Sequence, residues 1–159
     1  MSETRYDLDP LAWSEHQADL LRRLAAGERL DEAVDWTHVI EEVQDVGLSE
    51  LRACRSALRL ALVYLLKLHV WPDGQANGHW MGETIGFLAE ARDRGAPSMR
   101  QRIGLDDIYA TALRQVIAET RPGQSAVLPA TCPFPLQDLL ACDVADLITK
   151  LQTVAPGAA

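Results

Sequence analysis

Apolar residues recur along most of this chain at steps of three and four, the spacing that gathers side chains on one face of a helix. The clearest run is Trp36, Ile40, Val43, Gly47, Leu51, Cys54, Leu58, Ala61, Leu65 and Leu68. It predicts one helix over 35–70, capped by Asp35 and ended by Pro72. Gly47 costs that helix about 1 kcal/mol relative to Ala. Its place on the stripe predicts a close contact with another helix. A break at 47–49, with Ser49 capping a second helix, is the alternative; the unbroken phase favours continuity. Such a helix is roughly 50 Å long at ~1.5 Å per residue, long enough to kink or project from a compact domain.

Other helices are marked by the same signals. Asp9 as cap, Pro10 at the first helical position and Gly27 as stop predict a helix over 10–26. Its apolar positions come from Leu11, Trp13, Ala18, Leu20, Leu21 and Leu24. A further helix over 79–94 offers Ile85, Leu88 and Ala89 to a core, with Trp80 and Met81 at its start and Gly95 at its end. A fourth region opens at 97–99 and reaches about 119, interrupted at 104–105, with Asp106 capping the helix beyond the interruption. The segment 122–135 holds four prolines and predicts an extended strap. Short amphipathic elements come next, at 136–140 and 144–151. Period-two alternation, internal repeats and low-complexity segments are absent apart from a small-residue tail. The expected fold class is all-α: a helical bundle with four main helices, one long central helix and a proline-rich C-terminal strap with short helices. A single domain over 1–159 is expected, with frayed ends at 1–8 and 152–159.

Composition narrows the class. At 159 residues, 48% hydrophobic and 24% charged, the chain is globular and can build a core without metals or disulfides. A net charge of −8 opposes non-specific binding to nucleic acid, whose phosphates reward the opposite sign. Cys54, Cys132 and Cys142 form no Cys-x-x-Cys pair. The N-terminal residues lack the basic-then-apolar pattern of a signal peptide. The aliphatic block 58–70 is interrupted by Arg59, Lys67 and His69, and is too short and too charged for a membrane span. A cytoplasmic protein with free thiols is expected, and no membrane association.

Two places concentrate chemistry. Asp35, His38, Glu41, Glu42, Asp45 and Glu50 crowd the start of the long helix. His38, Glu42 and Asp45 share a face through steps of four and three, and are the candidate metal ligands. No Glu-x-x-His pair accompanies them, and they lie opposite the Trp36, Ile40, Val43 stripe. With that stripe in the core, they face water and form a solvated or salt-bridged face. The second place is the loop after the long helix. His69, Trp71, His79 and Trp80 surround Pro72, with Asp73, Gln75 and Asn77 between them. They are candidates for a ligand or interaction site, as are Asp35 and Trp36. Capping and aromatic packing are the plainer use of the same residues. Two histidines ten residues apart do not match tight metal-ligand spacing.

Nucleophile signals are weak. Cys54 lies on the apolar stripe, Cys132 has no assignable histidine partner, and Ser49 lacks a strand–turn–helix setting. Arg52, Arg55 and Arg59 recur on the long helix; Arg92, Arg94, Arg100 and Arg102 form a second cluster. Either can bind an anion or pair with the many carboxylates. No glycine-rich phosphate loop is present, and no cofactor is expected.

A family resemblance rests on particular residues. Asp35-Trp36, Ile40-Glu41-Glu42, Asp45, Gly47, Ser49 and Glu50 resemble the signature of the bacterial family named domain of unknown function 29. Leu65-Leu66-Lys67, Trp71-Pro72 and Trp80 are similar to a later region of that family. So are Pro97-Ser98-Met99-Arg100 and the late segment Leu128-Pro129, Cys132-Pro133-Phe134, Leu136. The resemblance implies a helical fold and carries over no catalytic residue, because the family's biochemical role is not established. Tyr64 departs from the pattern where many members have histidine, and His79 where serine is common.

The function expected from these observations is non-enzymatic: a protein-interaction or regulatory helical module. It predicts an apolar patch on the exposed part of the long helix, used for self-association or for a protein partner. The alternative is a metal-dependent hydrolase or other bundle enzyme, using His38, Glu42 and Asp45, or His69 and His79 with a further carboxylate. A nucleic-acid binder using an arginine face is a third possibility, opposed by the net charge.

Overall fold

A computed structural model describes residues 5–121 and 123–154. The described residues are helical, with irregular connections and no strand. Helix α1 (Arg5–Leu8) is a single turn. Helix α2 (Pro10–Ala25) starts as its sequence dictates: the Asp9 side chain accepts from Ala12 N at 3.0 Å, and Pro10 takes the first position. Gly27 comes after it with φ of 95°, a conformation that favours glycine. A 3-10 turn (Asp31–Ala33) leads into α3 (Trp36–Val70). Helices α4 (Asn77–Arg94), α5 (Leu105–Glu119), α6 (Leu136–Ala141) and α7 (Val144–Thr153) complete the fold. The four main helices are α2, α3, α4 and α5, and α3 is the long one. Of the ends expected to fray, 5–8 form α1, and helix α7 extends to Thr153; residues 1–4 and 155–159 lie outside the described residues.

The chain divides into two compact units, residues 1–48 and 49–159. The first contains α1, α2, the 3-10 turn and the start of α3. Trp13, Leu20 and Val34 are buried there, together with the polar Gln17. Gln17 is satisfied, because its Oε1 accepts from Asp35 N at 2.9 Å.

The second unit holds the large core. From Leu51 onward the stripe of α3 is buried: Cys54, Leu58, Ala61 and Leu65 have no exposed surface. Each fully buried leucine contributes roughly 1.5–3 kcal/mol. Leu88 and Ala91 of α4, Tyr109 and Val116 of α5, Leu139 of α6 and Leu147 of α7 close around it. The strap after α5 contains a 3-10 turn (Gln124–Val127) and seats Leu128 and Phe134 in the same core. Tyr109 fixes it, donating from its hydroxyl to the Pro129 carbonyl at 2.7 Å.

Three expectations are corrected. Gly47 touches nothing: a Cβ built there has no neighbour within 4 Å. Helix α3 therefore carries this glycine without the helix contact its place on the stripe suggests. The interruption before α5 is capped by Gly104, at φ of 62°, and not by Asp106, which sits in the first turn. Finally, the stripe is not core along its whole length. Trp36, Ile40 and Val43 are 42%, 54% and 70% exposed. Periodicity reports that a helix has an apolar face; it does not report what covers it.

Candidate functional site

At the start of α3, the Asp35 side chain accepts three hydrogen bonds in two roles. Its Oδ1 accepts from the His38 backbone N–H at 3.4 Å, capping the helix. Its Oδ2 accepts from the Trp13 indole at 3.1 Å and the His38 imidazole Nδ1 at 2.6 Å. Burial pushes the Asp35 carboxyl up, but the hydrogen bonds from His38 and Trp13 outweigh it and hold the group below its usual value. His38 moves the other way. Its bond to Asp35 raises its pKa against partial desolvation, helped by the charges of Asp35, Glu41 and Asp7.

Tyr6 from α1 covers this pair. Its ring stacks on His38 with centroids 4.2 Å apart and meets Trp13 edge-on at 4.9 Å. Its hydroxyl donates to Glu42 Oε1 at 2.5 Å, which lifts the tyrosine pKa to about 12. His38 is half-buried and paired with Asp35, whereas Glu42 stays exposed, an arrangement of the solvated or salt-bridged kind expected for this face. His38 lies under the Tyr6 ring, and Glu42 accepts from the Tyr6 hydroxyl at the surface, because Tyr6 and Trp13 bring both ring surface and polar atoms to a polar face. Asp45 stays exposed. No group of three or more His, Cys, Asp or Glu that could hold a metal ion is found among the described residues.

The reverse side of the same helix segment is bare. Trp36, Ile40, Val43 and Val46 are all exposed, Val43 and Val46 by 70% and 68%. They recur at i, i+4, i+7 and i+10, and Gly47 lies beside them. Trp36 is anchored at one end, its indole donating to the Asp31 carbonyl at 2.9 Å. Of ten large hydrophobics exposed among the described residues, six lie in the first unit, including Leu8 and Leu11. Exposure of this kind is therefore concentrated in the smaller unit.

The second sequence candidate is at the far end of α3. Trp71 and Trp80 pack against each other at 5.8 Å. Lys67 lies 5.9 Å from the Trp80 ring and 5.7 Å from Tyr64, and pairs with Glu119 at 2.6 Å. The two histidines are used separately. His69 donates from Nε2 to the Val127 carbonyl at 3.2 Å, fastening the strap. His79 is exposed, 3.9 Å from Glu83 and edge-on to Tyr64. Tyr64 also stacks on Phe87 at 6.0 Å. These contacts are those of aromatic packing at a helix end.

Four of the seven candidate arginines have structural uses. Arg55 donates to the carbonyls of Ile103 and Arg102. Arg92 donates to the carbonyls of Leu139 and Cys142, closing the end of α6. Arg59 binds Gln115, and Arg94 binds Glu50 and Glu90.

A family model described as "Domain of unknown function DUF29" matches residues 5–144. The chain belongs to the DUF29 family. A solved structure, the crystal structure of an alpha-helical protein of unknown function from Rhodospirillum rubrum, has the same fold. It is 26% identical, with a TM-score of 0.68, over 98% of this chain and 100% of that one. No curated protein matches. The DUF29 match spans both the His38 cluster and the bare face of α3.

One signal in this DUF29 sequence is easily passed over. Residues 1–48 hold twelve Asp and Glu against four Arg, a net charge of −8; residues 49–159 hold eleven acidic and eleven basic residues, a net of zero. The whole net charge of the protein belongs to the unit that carries the bare apolar row. Counting charge by segment reveals this without a structure.

Proposed function

We propose that this protein is a non-enzymatic interaction module, and that the row Trp36, Ile40, Val43 and Val46 is its docking face. One observation carries the reading: a helix segment within the first unit exposes a continuous apolar row, while its own chain makes its contacts on the opposite, polar face, at His38 and Glu42. Large exposed apolar groups in a row are costly to keep in water and mark interaction sites. Their spacing is that of helix-to-helix recognition. A cytoplasmic setting fits the three free cysteines. No helix among the described residues is long and apolar enough to cross a membrane.

The test is photo-crosslinking in the native host, with a crosslinking amino acid in place of Val43 and, as control, of the exposed Gln101. Discrete protein adducts from position 43 alone are expected. Equal labelling from both positions, or none from position 43, would refute the reading.

A further inference from the structure

Resting on the interaction reading, we infer that the docking face takes a basic amphipathic helix of a protein partner, and not a second copy of this chain. Shape argues for a helix. The row from Trp36 to Val46 is about 15 Å long at ~1.5 Å per residue. Anchors at i, i+4, i+7 and i+10 match the ridge that one helix offers to another. Gly47, at the end of the row, leaves backbone open with nothing within 4 Å. A glycine there weakens α3, and no contact within the chain uses the space it leaves.

Charge selects the partner. The first unit carries twelve acidic residues and four basic ones. Asp31 and Glu32 are exposed in the turn that holds Trp36. Two copies meeting through this face would set a charge of −8 against −8, and like charges across an interface oppose association. The same charge opposes an anionic membrane or a nucleic acid. A helix with an apolar row flanked by Lys and Arg satisfies both the row and the field around it. Its association is steered by that field and is weakened by salt.

The experiment is a selection against the full chain from a display library of helical peptides about 20 residues long. Apolar residues are fixed at helical spacing, and flanking positions are free to be Lys, Arg, Gln, Asp or Glu. The expected binders gather Lys and Arg at their flanks. They weaken roughly tenfold or more between about 50 and about 500 mM salt. They lose the Val43→Asp variant, although it adds negative charge, and the milder Val43→Ser, both judged folded by circular dichroism. Binders that need Val43 but carry neutral or acidic flanks would overturn the inference and leave the interaction reading intact. So would a dimer of the free chain, seen by sedimentation, that Val43→Asp dissociates. A selection yielding no binder that depends on Val43 would overturn both.

Discussion

His38 Nδ1 lies 2.6 Å from Asp35 Oδ2, three residues back at the start of α3, with the Tyr6 ring stacked on the same imidazole. The pair ties α1 and α2 to the first turn of α3 and makes the first unit sensitive to pH. His38 has a raised pKa in the folded chain. Its contribution to stability is therefore fully present below the ordinary histidine value of about 6.5 and is lost as pH rises through the higher folded value. Asp35 has a lowered pKa. Its contribution is present above the ordinary value of about 3.9 and is lost as pH falls through the lower folded value. The window where both act runs from mildly acidic to near-neutral pH. The His38 proton resonances should titrate above the ordinary midpoint. The thermal midpoint should fall from about pH 6 to about pH 8 by less in His38→Gln than in wild type. A His38 midpoint at or below the ordinary value would contradict the pairing.

The apolar stripe of α3 makes a sharper prediction, because its two halves differ in burial while sharing one sequence pattern. Leu58 has no exposed surface, and Val43 is 70% exposed. Leu58→Ala should destabilise by about 2–5 kcal/mol through lost burial and a cavity. Val43→Ala should change stability by no more than about 0.5 kcal/mol. Urea titrations of both variants decide it. Equal costs would mean that Val43 is covered in solution.

That contrast also marks what the sequence could and could not disclose. The helices were legible because caps, glycines, prolines and a spacing of three and four are local signals. Asp9, Pro10 and Gly27 bound α2 where their chemistry places them. Which side of α3 is covered is not local. Its apolar side between Trp36 and Val46 reads as core, and Tyr6 and Trp13 bind its polar side. That choice depends on aromatic residues 36 and 22 positions away from the carboxylates they bind, each supplying a ring and a hydrogen-bond donor. The histidines near Pro72 were likewise legible as neighbours in sequence. The partner of His69, the Val127 carbonyl, is a tertiary fact; Glu83, near His79, is only one helical turn along the same helix.

The three thiols should be unequal. Cys54 is fully buried, and desolvation raises its pKa despite the nearby Arg94. Desolvation also pushes Cys132 up to about 11, against a backbone hydrogen bond at Phe134. The thiolate is the reactive form, so both should react roughly a hundredfold or more slower in the native protein than in denaturant. Mass-resolved labelling with a thiol reagent near pH 8 separates the sites. Native rates for Cys132 matching those in denaturant would show that the strap leaves the core.

Glycines give the last test, and it bears on the docking face. Gly47 and Gly82 lie in helix interiors, and a Cβ at either meets nothing within 4 Å. Gly47→Ala and Gly82→Ala should each stabilise by about 0.5–1 kcal/mol, the helix propensity of Ala over Gly. Gly104→Ala should do the reverse. Its φ of 62° strains any other residue, and the new Cβ would sit 3.0 Å from Arg55 Nη1, disturbing the arginine that holds the Arg102 and Ile103 carbonyls. Thermal midpoints rising for the first two variants and falling for the third are expected. If Gly47→Ala instead lowered the midpoint, its space would be filled in solution, and the start of α3 would already be occupied in the purified protein.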